Sequence, residues 1–323
     1  MIRRKKIDCL VIGDCFFDVS VKLSSYNNAL KTGGVVKTNK ISVLPGGIGN
    51  VSAAIAKLGG TVALCGVVGN DALGRAYIAD LNENFILPEV HTAKMEPTGL
   101  LLALLSSKGE RSFVVSRGAN DSLEIDHVKI ALRRFDPSVV FISGYSLTKK
   151  SMEWILFQSI DLAIHNKSKI VFDCTPFNVV ELKRELFMNA ISKSYCTCLN
   201  FREACSLVGT SSLKRLIKIM RQKSSFFVLT LGSKGCLVVT STGEKFISTK
   251  KVSVKDTNGA GDSFAGAIAY GISRNLSESE MGTLGVYMGT LKVQFPGPRI
   301  PDVSQTKINR FKRWNAEKHS HLP

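Results

Sequence analysis

The feature that most constrains the fold is an alternation of two patterns along the chain. Short β-branched, apolar runs recur at Cys9–Ile12, Val62–Val68, Val139–Ile142, Lys169–Phe172, Tyr195–Leu199, Phe226–Leu231 and Gly235–Thr240. Between several of them lie longer stretches with apolar residues at helical spacing: Asn50–Leu58, Asp71–Leu81, Ser151–His165, Glu181–Ala190, Phe201–Val208 and Ser212–Lys223. Continuous apolar runs suit strands buried on both faces, and interposed helices cover those faces. The alternation therefore predicts the α/β class, with a largely parallel sheet between helical layers. Asn50–Leu58 shows the local logic: Val51, Ala54, Ile55 and Leu58 share one face, and Gly59-Gly60 stops the helix. A chain of 323 residues, 44% of them hydrophobic, has enough apolar material for one large core.

Two stretches break the rhythm. Residues 15–44 and 91–118 lack helical periodicity and read as extended, at Val19–Leu23, Gly34–Lys37, Gly99–Leu105 and Ser112–Val115. Ser107-Lys108-Gly109-Glu110 reads as a hairpin tip. These segments predict a small β-rich lid over the edge of the sheet, which suits chemistry that must exclude water.

Composition removes several function classes. No apolar run approaches the roughly 20 residues of a membrane span. The basic start, Met1–Lys6, precedes an apolar segment interrupted by Asp8 and Gly13-Asp14, so Ile7–Ile12 reads as a buried strand rather than a leader. Eight scattered cysteines with no CxxC pair, and only five histidines, argue against a zinc array. They predict buried, reduced thiols in a cytoplasmic protein. The formal net charge of +17 attracts phosphates. The excess is spread along the chain without a zinc finger, RRM signature or basic zipper, which argues for a solvated basic surface over a nucleic-acid face.

The stretch that carries chemistry is Asp256-Thr257-Asn258-Gly259-Ala260-Gly261-Asp262. It runs from a strand-like Val252–Lys255 into a helix of small and apolar residues, Ser263–Ile272. Glycines here allow a tight turn with converging backbone N–H groups, and a helix N-terminus adds roughly half a positive charge. Together they form an anion hole. Asp262, beside it, can take a proton from a hydroxyl nucleophile, and phosphoryl transfer needs positioning, charge neutralisation and such a base. The residues alone also fit an ordinary strand–turn–helix with an Asp cap.

This stretch resembles the C-terminal signature of PfkB carbohydrate kinases, Asp-Thr-x-Gly-Ala-Gly-Asp before a small-residue helix. Pro45-Gly46-Gly47-Ile48-Gly49-Asn50 resembles the family's N-terminal signature, with two residues rather than the usual three between the Gly pair and the Asn, as in the sugar-kinase half of heptose-phosphate kinases. The same stretch nearly matches a dinucleotide fingerprint, but it lacks the third Gly and the acidic residue about 20 positions on. Asn200-Phe201-Arg202-Glu203 resembles the family's Asn-x-x-Glu motif, and Thr230–Gly235 its nucleotide-side loop. The resemblance runs from about Asp8 to Asp302; the basic tail 307–323 lies outside it.

The resemblance implies a ribokinase-like three-layer sandwich with a mostly parallel central sheet and a small inserted β lid. It implies one domain over 7–306, an ATP-dependent kinase acting on a hydroxyl of a sugar-like molecule. Asp262 is then the base, and Gly259, Ala260 and Gly261 with it the anion hole. Asp18, Gly46, Gly47, Asn50, Arg117 and Asn120 become candidates for the acceptor side, Arg117 as partner for an acidic or phosphorylated substrate. Asn200, Thr230, Gly232, Lys234 and Gly235 are candidates for ATP, and Glu203 for an indirect contact to Mg2+. Asn200 and Glu203 also fit a plain helix cap, and Lys234 a solvent-facing side chain. Asp256 and Asn258 are candidates for a monovalent cation, K+, held through backbone carbonyls with the loop after Met281–Val293. Pairing through lids implies a homodimer. The alternatives are a nucleoside kinase of the same fold and a catalytically silent basic interaction module. The acidic contact that ribokinases carry after the Val139–Ile142 strand is replaced by Ser143-Gly144-Tyr145.

Overall fold

Strand β1 (Lys5–Ile12) shows how the sequence builds the layers. Its Cys9 and Val11 point into one hydrophobic cluster and Leu10 and Ile12 into another, the two-residue period of a strand buried on both faces. The computed structural model describes residues 4–23, 32–33, 35, 37–38, 41–105, 111–174, 177–302, 306–309 and 311.

The remaining strands follow in chain order: β2 (Phe16–Lys22), β3 (Ile41–Pro45), β4 (Val62–Gly69), β5 (Leu87–Ala93), β6 (Gly99–Leu105), β7 (Arg111–Ser116), β8 (Phe135–Ser143), β9 (Lys169–Asp173), β10 (Cys196–Asn200), β11 (Phe227–Thr230), β12 (Gly235–Val239) and β13 (Glu244–Ser248). The large sheet has the order β13-β12-β11-β10-β9-β8-β1-β4-β5. It is parallel from β5 to β11, and β12 and β13 close its edge as antiparallel strands. Helices Ile48–Lys57, Ala260–Ser273 and Glu278–Lys292 cover one face, and Ile125–Arg134, Lys150–His165, Arg184–Lys193 and Leu213–Met220 the other.

The second sheet, β3-β2-β6-β7, is built from the two stretches that lack helical periodicity. Its β2–β6 pair is parallel and its outer pairs antiparallel. The hairpin tip expected at 107–110 lies outside the described residues. Among the described residues, no helix is long and apolar enough to cross a membrane. Seven of the eight cysteines are buried, Cys205 is partly so, and all are free thiols.

Several local expectations need correction. Val252–Lys255 is not a strand; Lys255 and Asp256 instead donate their N–H groups to the Val293 carbonyl, and Val254 is exposed. The edge strand is β13, Glu244-Lys245-Phe246-Ile247-Ser248, which is exposed except at the partly buried Ile247 and so carries no long apolar run. The helix expected at 181–190 breaks at Lys183 into Phe177–Leu182 and Arg184–Lys193. Helix Ile125–Arg134, hidden by its basic composition, buries Val128, Ala131 and Leu132.

Candidate active site

The Asp256–Asp262 stretch forms a turn that opens directly into helix Ala260–Ser273. The Asp256 carboxylate accepts the Asn258 and Gly297 N–H groups, each at 2.9 Å, and so ties the turn to the loop after helix Glu278–Lys292. Gly259 holds φ at 72°, and a Cβ there would overlap the Pro298 carbonyl oxygen, so only glycine fits. In the helix's first turn the Ala260 N–H donates to the Thr257 carbonyl at 3.3 Å and the Ser263 N–H to the Gly259 carbonyl at 2.9 Å, and Gly261 between them stands where two cavities meet.

The larger cavity, about 590 Å³, is bounded by Thr230, Gly232 and Gly235 on one side and by Thr257, Ala260 and Gly261 on the other. The smaller, about 220 Å³, lies beneath the second sheet, which contributes Phe16, Asp18, Leu101 and Phe113. Gly261 lines both, and Asp262 lines the smaller one. The glycine turn is therefore the wall between two compartments, with a carboxylate on one side.

Carboxylates dominate the smaller cavity: Asp14, Asp18, Asp173 and Asp262. Burial pushes Asp262 above the ordinary range, opposed by a hydrogen bond from Asn50 and by the charges of Arg299 and Lys292. The Asn50 amide donates to Asp262 Oδ2 at 3.0 Å, while Arg299 Nε donates to Asn50 Oδ1 at 3.1 Å and its Nη1 pairs with Asp80 at 2.5 Å. Arg299 thus fixes which end of the amide faces Asp262. Burial, and then the Asp262 charge, push Asp18 up to about 7. Asp173 is raised well above its usual value by burial and by the charges of Glu203 and Asp262. Gly46 leaves room for the Asp18 carboxyl, which a Cβ at that position would strike.

The structure sorts the sequence candidates into three groups. Asp18, Gly47, Asn50, Gly259, Gly261 and Asp262 converge on the smaller cavity, with Gly46 behind Asp18. Thr230, Gly232 and Gly235 converge with Ala260 on the larger. Of the others, Arg117, Asn120, Asn200, Glu203 and Lys234 line neither cavity. Arg117 holds Asp14 in a two-pronged pair at 2.6 and 2.8 Å and Asp121 at 2.7 Å, so its guanidinium is engaged with the protein's own acids. Asn120 is buried and braces the Cys15 backbone through both ends of its amide. Asn200 and Glu203 form a reciprocal helix cap, with bonds of 2.9 and 2.8 Å and a third from the Asn200 amide at 2.6 Å. Burial pushes Glu203 up to about 8. Lys234 is exposed and lines neither cavity. Asn258 lines the smaller cavity.

Sequence reasoning missed Asp173, Tyr145, Arg299 and Tyr77. Asp173 stands at the C-terminal end of β9, one strand beyond the place where an acid was sought, and it lines the smaller cavity beside Ser143 and Tyr145. A strand-end Asp was the available signal, since ligands bind beyond the carboxyl ends of parallel strands. Tyr77 donates to the Gly46 carbonyl at 2.9 Å and accepts from Gly49 N–H at 3.2 Å, which holds the glycine turn; nothing local to residue 77 announces this.

A nine-stranded, mostly parallel sheet capped by a small β lid, with a glycine turn and an Asp at a two-cavity boundary, defines an α/β phosphotransferase. A sequence model of the pfkB family carbohydrate kinases matches residues 6–305. The chain therefore belongs to the pfkB family of carbohydrate kinases, phosphotransferases whose acceptor is an alcohol group. It is similar to ribokinase of Mus musculus, with 28% identity over 300 residues covering 89% of each chain. Among solved structures it resembles adenosine kinase of Sinorhizobium meliloti (TM-score 0.85, 21% identity, 95% of this chain and 99% of that one). It also resembles Arabidopsis thaliana ribokinase complexed with ribose and ATP (TM-score 0.77, 23% identity, 94% and 98%).

Proposed function

We propose that the protein is a cytoplasmic, Mg2+-dependent kinase that transfers the γ-phosphate of ATP to a hydroxyl of an uncharged sugar or sugar-like molecule. The observation that carries this is the shared wall: Gly261 borders both cavities and Asp262 faces only the smaller. ATP occupies the larger cavity with its γ-phosphate against the first-turn N–H groups, and the acceptor occupies the smaller. Asp262 removes the hydroxyl proton, Asn50 and Arg299 hold it in place, and Asp18 with Asp14 and Asp173 accepts hydrogen bonds from the other hydroxyls. Glu203 and Asp173 would reach a Mg2+ ion bound with the phosphates through its water, and its charge would favour the ionised forms that burial disfavours. The catalytic domain spans 7–306 with lid segments at 15–44 and 91–118, and 307–323 is a basic tail. The exposed apolar side chains of β3 and β7, among them Ile41, Val43, Phe113 and Val115, suit pairing of two lids in a homodimer.

Four carboxylates and, among the described lining residues, no Lys, Arg or His oppose a phosphorylated or acidic acceptor. This replaces the role for Arg117 that the sequence suggested. Phe113 and Tyr145 at the cavity favour a nucleoside as the second reading. A silent interaction module has no need of a positioned Asp262. An ADP-release screen over neutral sugars, sugar phosphates, sugar acids and nucleosides separates these. Turnover is expected with a neutral sugar and absent with its phosphate. No ADP release with any neutral sugar or nucleoside, combined with a salt-sensitive gel shift of nucleic acid, would overturn the reading in favour of the module.

A further inference from the structure

Behind the anion hole lies a lysine that the phosphotransfer reading does not use. Lys292, the last residue of helix Glu278–Lys292, is fully buried. Its Nζ donates to the Asp256 carbonyl at 3.0 Å and to the Phe295 carbonyl at 3.2 Å. These oxygens come from two segments that are stitched together around it. Lys255 and Asp256 N–H groups donate to the Val293 carbonyl at 2.7 and 3.2 Å, and the Asp256 carboxylate reaches Gly297 N–H. Gly259, the start of the anion hole, packs its backbone on the Pro298 carbonyl.

Backbone carbonyls from two loops converging on one point form the ligand set of a monovalent cation. The resemblance to PfkB kinases implies such a cation at Asp256 and Asn258, but the residues present do not fit it. The Asp256 carbonyl is already turned to the Lys292 ammonium at 3.0 Å, so a cation held on it would stand against a positive charge. An ammonium is a compact cation that accepts the same carbonyl environment. It also lies near enough to Asp262 to favour its ionised form.

We infer that the Lys292 ammonium is a tethered monovalent cation, which orders the Asp256–Asp262 turn and makes the enzyme independent of K+. The inference rests on the kinase reading for its activity readout, but not for its structural one. A tethered charge is always present at full occupancy, whereas an exchangeable ion binds only as its concentration allows.

The test begins with the wild-type chain in choline chloride, NaCl and KCl at one ionic strength. Phosphoryl transfer is expected to differ by less than about twofold among the salts, with the same melting temperature in each. Activation of about fivefold or more by K+, or a melting temperature raised by K+ alone, overturns the inference. The second arm uses Lys292→Ala. Its activity in choline chloride is expected to fall at least about 10-fold, as for the loss of one oxyanion-stabilising group, and to recover in part with KCl or ammonium chloride. Its melting temperature should become K+-sensitive. A folded variant that neither ion rescues shows a packing role only and overturns the inference. If that variant does not fold, the wild-type salt series still decides the question. A wild-type chain inactive toward every acceptor breaks the kinase reading, while its melting series continues to judge Lys292.

Discussion

The two cavities that meet at Gly261 are made in different ways. The larger one has two glycine turns on its wall, Thr230 to Gly235 and Thr257 to Gly261, and side chains such as Lys250, Phe264 and Val286 around them. The smaller one is bounded by side chains from separate segments: Asp14 after β1, Asp18 on β2, Asn50 on the following helix, Tyr145 after β8, Asp173 at the end of β9 and Asp262. A phosphate is the same anion in every nucleotide, and a glycine turn at a helix N-terminus meets it with backbone alone. Acceptors differ in shape and hydroxyl pattern, so their recognition needs directional side chains from several directions. The phosphate turn expected from the sequence is therefore a contiguous signature, whereas the walls of the smaller cavity are scattered residues.

Substitutions at the boundary and on either side test this contrast. The largest effect is expected for Asp262→Asn, which keeps the shape of the wall and removes the base. Turnover should fall by about 10²–10⁴ with nucleotide affinity unchanged, as read by single-turnover kinetics and ATP titration. Near wild-type turnover would remove Asp262 from its role.

Asn50→Ala comes next. Its amide donates to the Asp262 carboxylate and favours the charged form, so its loss should raise the Asp262 pKa further. The acid limb of the kcat/KM profile should then move to higher pH, with a fall of about 10-fold near neutrality. An unmoved limb would mean that Asn50 contacts the acceptor alone.

Asp18→Asn separates binding from stability. Native Asp18 binds its proton up to about pH 7, whereas in the unfolded chain it loses it near the usual carboxylate value. The native state then binds more protons between those values, and stability falls as pH rises through that window. Replacement by a neutral amide should raise the melting temperature by roughly 2–5 °C at pH 8 and by nothing at pH 4, while weakening the acceptor KM. A gain at pH 4 of equal size would contradict the sign.

The smallest effect is expected at Lys234, exposed beside the larger cavity but not lining it. Lys234→Ala should change the ATP KM by less than about threefold. A loss of tenfold or more, on the same scale of screened surface charge, would place its ammonium on a phosphate.

Much of the donor side was legible because its cause is local. The φ of Gly259 and the helix start at Ala260 are local, so the linear pattern contains the turn, while Gly297, Pro298 and Asn50, which hold Asp256, Gly259 and Asp262 in place, are not. Legibility ended where partners are distant. Arg117 is a case in point: as a residue it suits an anionic substrate, yet the fold puts Asp14, 103 positions away, within 2.6 Å of its guanidinium. Asn120 was chosen from a short motif and is a brace for Cys15. Asp173 reached the acceptor cavity because β9 lies beside β8 in the sheet, which no single-strand pattern states.

The amino-acid sequence alone determined the parallel sheet between helical layers, the separate β-rich lid and the phosphate turn, because hydrophobic period, glycine placement and helix starts act over a few residues. Only the tertiary structure decided the acid-lined smaller cavity, the Arg299–Asn50–Asp262 chain and the burial of Lys292 against Asp256, because burial, charge pairing and pKa shifts depend on residues that meet through space.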